Sequence, residues 1–210
     1  MQKNRKQEVV SEKEITALGK KRNAKSTLRE WIESIVIAFV LAMFIRTFIV
    51  QAFKIPSGSM RPTLIEGDRI LVSKFIYGAR IPLTDSLRLP GLRNPQRGDV
   101  VVFLYPEDPT RDFIKRLIAT EGETAQIKNG KIYINNQPLD DPKFARNYVN
   151  RGPYAKQGDS VIVPPDSLFV LGDNSTSSQD SRYWGFVPER YLLGKAFLIY
   201  WPLHRIRIIK

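Results

Sequence analysis

TAQIKNGKIYIN, Thr124 to Asn135, is the stretch that decides the fold class. Two short runs with β-branched and aromatic residues flank Asn129-Gly130, the pair favoured in a type I′ turn because both central residues take positive φ. It predicts a tight antiparallel hairpin. Outward from it the same pattern recurs in RILVSKFI (Arg69 to Ile76), DVVVFLY (Asp99 to Tyr105), FIKRLIA (Phe113 to Ala119), SVIV (Ser160 to Val163), SLFVLG (Ser167 to Gly172) and KAFLIYW (Lys195 to Trp201). Most of the 14 prolines and 13 glycines fall between these runs, as tight connections require. Residues 54–210 are therefore expected to form one mainly β, antiparallel domain, with a small β excursion at about 122–166. The Pro-, Arg- and Leu-rich loop over 77–97 reads as a second excursion near a membrane.

Before this region stands WIESIVIAFVLAMFIRTFIVQAF, Trp31 to Phe53, in which Glu33 and Arg46 are the only charges. As a helix it spans roughly 34 Å, enough for a hydrocarbon core of about 30 Å. A buried core helix or a cleaved signal segment shares part of this signature. Its length, and the mainly polar 30-residue tail ahead of it, favour a transmembrane anchor. Lys20, Lys21, Arg22, Lys25 and Arg29 cluster just before it, which by the positive-inside rule predicts a basic cytoplasmic tail over 1–30, an anchor over 31–53 and an extracytoplasmic domain over 54–210.

The whole chain has 33 Lys and Arg against 21 Asp and Glu, a formal +12, and such an excess points to a polyanionic partner. Because the N-terminal excess abuts the apolar run, an anionic lipid bilayer is favoured over nucleic acid. The absence of cysteine removes thiol nucleophiles, disulfides and thiolate metal sites together. A lone histidine, His204, lies in the basic stretch WPLHRIRIIK and reads as a surface or packing residue. No phosphate loop or paired metal-ligand spacing appears, so the chemistry calls for no metal or organic cofactor.

Polar residues concentrate in a few places where a plain sheet has no need of them. IPSGSMRPTL (Ile55 to Leu64) sets Ser57 and Ser59 about one glycine, leaving the backbone free to expose a hydroxyl and aim N–H groups. On its own, SGS is most often an ordinary turn. DFIKRLIA puts Phe113, Lys115 and Leu117 on one face of a strand and Ile114, Arg116 and Ile118 on the other, so one of two cations must approach the core. If it is Lys115, burial lowers its pKa, and a neutral lysine is a general base. Otherwise Lys115 is a solvated edge-strand residue. GDNSTSSQDSRYWG (Gly172 to Gly185) crowds acids, amides and hydroxyls before an aromatic pair, either to satisfy a buried amine or as a surface loop with Asx turns. GDRILV at Gly67 reads as a turn into a strand. With thiols absent and histidine nearly so, serine activated by lysine is the nucleophile chemistry that remains.

SGSMRPTL, GDRILV, DFIKR, and GDN followed by DSRYWGFVP, in this order behind an apolar helix, resemble bacterial type I signal peptidase, over residues 31 to about 201. The resemblance implies a membrane-anchored serine endopeptidase with a Ser/Lys dyad that removes N-terminal signal peptides from exported preproteins, cutting after small residues. It implies Ser59 as nucleophile, Lys115 as general base, and an oxyanion hole from the Ser57 hydroxyl and the Ser59 N–H. It further implies that Ser178 orients the lysine, with Asp180 and Arg182 as a supporting ion pair. Ile55, Pro56, Met60, Leu64, Ile70, Phe113 and Ile114 match positions that line substrate pockets. The expected setting is the plasma membrane, or the thylakoid for a cyanobacterial chain, near the secretion translocon. Ser175 departs from the arginine that many members carry after GDN, and the short excursion after Gly122 with one anchor looks like the small Gram-positive or cyanobacterial form. Two other readings of the residues stay open: a Ser/Lys protease that cuts itself or one regulatory partner, and a non-enzymatic basic β module tethered to a membrane.

Overall fold

A computed structural model describes residues 27–80, 88–154, 156 and 159–210. The expected basic tail over 1–30 lies almost entirely outside them, as does the middle of the 77–97 loop.

The first helix, α1, runs Thr27–Ile49, its last turn a π-helical segment Ile45–Ile49. Apolar side chains such as Trp31, Ile35, Phe39, Leu41 and Phe44 are exposed around it, and it is long and apolar enough to cross a membrane. It stops before Phe53, the end expected from the apolar run. Val50 to Phe53 instead belong to a strand, because their backbone groups pair with the neighbouring strand in register from Val50↔Ser73 to Lys54↔Arg69. Periodicity alone cannot separate a helix end from an apolar strand that follows directly. Lys74 closes the helix, its Nζ donating to the Thr47 carbonyl at 3.3 Å, as cations do at the negative end of a helix.

The strands follow as β1 (Val50–Lys54), β2 (Arg69–Ser73), β3 (Val100–Tyr105), β4 (Asp108–Ala119), β5 (Thr124–Lys128), β6 (Lys131–Ile134), β7 (Gln137–Pro138), β8 (Ser160–Ile162), β9 (Ser167–Leu171), β10 (Val187–Pro188), β11 (Leu192–Trp201) and β12 (Arg207–Ile208), with a short helix α2 (Ser181–Trp184) before β10. The larger sheet has the order β1-β2-β11-β3-β4-β9-β10, with β12 added to β11, and every pairing is antiparallel. The smaller sheet, β7-β6-β5-β8, is the excursion. Its hairpin turns at Asn129 (φ 50°) and Gly130 (φ 76°), the left-handed pair that the type I′ turn demands.

β4 is the spine that positions the site. On one side it pairs with β3 from Asp108 to Arg116, and on the other with β9 only from Arg116 to Ala119. Alternation along it feeds separate cores. Leu117 and Phe113 pack with Val101, Phe103, Leu168 and Val170, while Ile118 packs with Ile127, Ile132 and Phe169 of the excursion side. Ile114 packs against a third cluster that includes Ile55, Met60, Leu64 and Ile70.

Candidate active site

Three elements converge on the middle of β4. A 3₁₀ turn, Gly58–Met60, carries Ser59, and a second one, Ser175–Ser177, follows the GDN segment after β9. Asn174 ties them together: its Nδ2 donates to the Gly58 carbonyl at 3.0 Å and its backbone N–H to the Ser59 carbonyl, also at 3.0 Å. Gly172 is needed for this approach, since a Cβ there would come within 2.1 Å of Ser178 Oγ and 2.6 Å of the Ser59 carbonyl.

Lys115 Nζ lies 2.9 Å from Ser59 Oγ and donates to the Ile114 carbonyl at 3.0 Å. The lysine is only 4% exposed and the serine 8%. The Phe113 ring covers the amine, its centroid 5.3 Å from Nζ, and is itself stacked on Tyr105 at 4.4 Å and edged by Trp184 at 5.6 Å. Burial pushes the Lys115 amine down to about 8; Asp180 and Asp173 pull it upward, and Arg182 adds to the lowering. Among the described residues no carboxylate stands within ion-pair distance of it. The amine is thus far easier to deprotonate than a solvated lysine.

Lys115 and Arg116 are both buried, not one of the two. Arg116, 1% exposed, donates from Nε to Asp173 Oδ1 at 2.8 Å and from Nη2 to Oδ2 at 2.7 Å, a bidentate pair. Sequence reasoning misses Asp173, Arg116 and the Asn174 clamp as parts of the site. The crowding of GDN is a signal, but a partner 57 residues away along the chain is invisible to spacing.

Asp180 and Arg182 meet with Nε–Oδ1 at 2.7 Å, both side chains fully buried. Arg182 Nη1 also donates to Ser175 Oγ at 2.7 Å and to the Val149 carbonyl at 2.8 Å, while Asp180 Oδ2 accepts the Gly172 N–H at 2.9 Å. So Ser175 anchors Arg182. Ser178 does not hydrogen-bond Lys115: its Oγ is buried without a partner among the described residues, against Gly172. The amine's contacts go to Ser59 and the Ile114 carbonyl instead.

A cleft of about 400 Å³ opens over the pair, lined by Pro56, Ser57, Ser59 and the strand from Arg111 to Lys115. Ser57 is exposed in it and its hydroxyl makes no cap to the 3₁₀ turn. Pro56, Phe113 and Ile114 line the cleft. Ile55, Met60, Leu64 and Ile70 do not: they are buried in the core beneath Ile114, so they shape the pocket from behind. The Gly67 turn is architectural, with Asp68 held by Arg205 at 2.8 Å, and His204 is exposed, outside the cleft lining.

The family model described as "Signal peptidase, peptidase S26" matches residues 28–201. A "Signal peptidase I" of Leptolyngbya laminosa is 40% identical over 190 residues, which cover 87% of this chain and 84% of the relative. A "Probable signal peptidase I-2" of Synechocystis sp. is 38% identical, with 92% and 83% covered, and a "Signal peptidase I" of Pseudomonas aeruginosa is 34% identical, with 89% and 78% covered. These matches place the protein among the peptidases. The chain belongs to the signal peptidase family, peptidase S26.

Proposed function

We propose that the protein is a membrane-anchored serine endopeptidase that removes N-terminal signal peptides from exported preproteins by a Ser/Lys dyad. The observation that carries this reading is the 2.9 Å approach of a buried, low-pKa Lys115 Nζ to Ser59 Oγ. A neutral amine has one lone pair and two N–H groups. The lone pair accepts the Ser59 proton, and one N–H is held by the Ile114 carbonyl.

The substrate docks as an extended strand. Residues 112–115 of β4 have no strand partner on the side where β9 stops, among the described residues, and that free edge offers backbone groups to a peptide. Small side chains before the cut fit the shallow space between Pro56, Phe113 and Ile114. Ser59 Oγ attacks the carbonyl carbon as its proton passes to Lys115, and the oxyanion is met by the Ser57 hydroxyl and the Ser59 N–H. The ammonium returns its proton to the leaving amine as the peptide bond breaks, leaving an ester on Ser59. Lys115 then takes a proton from a water that attacks the ester, and returns it to Ser59 Oγ as the acyl group leaves as a carboxylate. Buried Asp180 and Arg182 fix the loop behind the lysine.

α1 holds the enzyme in the plasma membrane, or the thylakoid in a cyanobacterium, with the N-terminus cytoplasmic and the catalytic domain outside, in an anionic bilayer close to the translocon. The test is mass spectrometry of a synthetic signal-peptide substrate incubated with detergent-solubilised protein. Wild type should yield the two fragments of a single cut after a small residue, and Ser59→Ala none; fragments from both proteins would refute the reading.

A further inference from the structure

A second cavity, also about 400 Å³, is separate from the cleft and lies beneath the C-terminal strand, between Thr63, Arg146, Arg207, Ile208, Ile209 and Lys210. Among the described residues three cations line it and no acidic side chain does. Cations brought together without a counter-charge repel one another, and an anion that joins them relieves the repulsion. The contacts present do not neutralise the three from elsewhere. Arg146 Nε is buried and has no hydrogen-bond partner among the described residues. Arg207 Nη2 donates to the Thr63 carbonyl at 2.6 Å, a neutral acceptor. The Lys210 main-chain oxygen is engaged by Arg116 Nη1 at 3.2 Å. Asp173, behind Thr63, is already held by both donors of Arg116.

We propose that this cavity binds a phosphate-class oxyanion, with Arg146, Arg207 and Lys210 as its ligands. Guanidinium groups match phosphate oxygens in geometry as well as charge. The surroundings favour a phospholipid headgroup as its source over free phosphate. Ile208, on the cavity wall, is an exposed apolar side chain between the cations, and Ile206, two residues before it in the chain, is exposed as well. Such a surface suits a ligand that is anionic at one end and greasy at the other.

The test is calorimetric titration of the full-length protein in uncharged detergent at fixed ionic strength. The probes are inorganic phosphate, short-chain phosphatidylglycerol and, as the zwitterionic comparison, short-chain phosphatidylcholine. Phosphatidylglycerol should bind saturably, one per chain, and Arg146→Gln should weaken it about tenfold or more, the value of a lost charge-assisted bond. Arg146 Nε has no partner to lose among the described residues, so the thermal midpoint of Arg146→Gln without ligand should be no lower than that of wild type, and its cleavage of a soluble peptide should be unchanged. Lys128→Gln, an exposed cation on β5, should bind as wild type does. Binding of inorganic phosphate in place of the lipid, with the same loss in Arg146→Gln, would support the site and assign it to free phosphate. Absence of saturable binding by either probe would overturn the proposal, and so would equal binding by wild type and Arg146→Gln.

Discussion

Lys115 and Arg116 are adjacent on one strand, both buried, and electrostatically opposite in their treatment. Arg116 meets Asp173 through two hydrogen bonds of 2.8 and 2.7 Å, whereas Lys115 meets a hydroxyl and a carbonyl. Strand alternation produces this, since neighbours project to opposite faces, one toward the GDN carboxylate and the other toward the turn that carries Ser59. The arginine therefore has a counter-charge, and the lysine can lose its proton.

Cleavage should follow the neutral fraction of Lys115. With its amine at about 8, the log of kcat/KM should rise with pH up to that value and level off above it. Below it the rate should fall about tenfold per pH unit, because the protonated amine cannot accept the Ser59 proton. Peptide cleavage between pH 5.5 and 9.5 measures this, and an even profile across that range would exclude a lysine base.

The same burial costs stability. The folded amine at about 8 lies below the unfolded 10.5, so unfolding takes up a proton between these values. The cost, of the order of 3 kcal/mol, is fully present below pH 8 and disappears as pH rises past 10.5. Lys115→Met should therefore abolish cleavage and unfold later than wild type at pH 7, with the gap closing toward pH 10.5. Denaturant unfolding at the two pH values gives the answer; a less stable variant would contradict it.

Removing the Ser57 hydroxyl should slow turnover without ending it. Loss of a single oxyanion donor typically lowers kcat by roughly a hundredfold or more. Ser57 is exposed and does not cap the turn, so Ser57→Ala should leave the thermal midpoint unchanged. An unaltered kcat would remove the hydroxyl from the mechanism.

Asp180→Asn leaves Arg182 buried without its counter-charge, a change that generally costs about 3 to 5 kcal/mol. It also removes the charge that raises the Lys115 amine and leaves one that lowers it. In the protein that still folds, the midpoint of the pH profile should move to lower pH. A midpoint moved upward would contradict the electrostatic account of the lysine.

Much of this is legible in the chain, and the failures share a cause. The hairpin at Asn129-Gly130 and the strand runs carry their signals locally, in turn chemistry and alternation. So do the two motifs that supply Ser59 and Lys115. What spacing cannot reveal depends on distant partners: Val50 to Phe53 form a strand because β2 pairs with them, and Arg116 is buried because Asp173 awaits it. Ser175 escapes notice for the same reason, its importance lying in its bond to Arg182. The pocket residues divide by depth, with Ile55, Met60, Leu64 and Ile70 packed behind the cleft, and depth within a compact fold is not written in a local pattern.

The central claim is that Lys115, beside Ser59, gives up its proton near pH 8 instead of near 10.5. Heteronuclear NMR of the lysine side chains, followed through a pH titration of Ser59→Ala in micelles and assigned with Lys115→Met, measures it directly. One amine should titrate near 8 and be missing from the Lys115→Met spectrum. If instead the Lys115 signal titrates with the solvated lysines near 10.5, the proposed base does not exist.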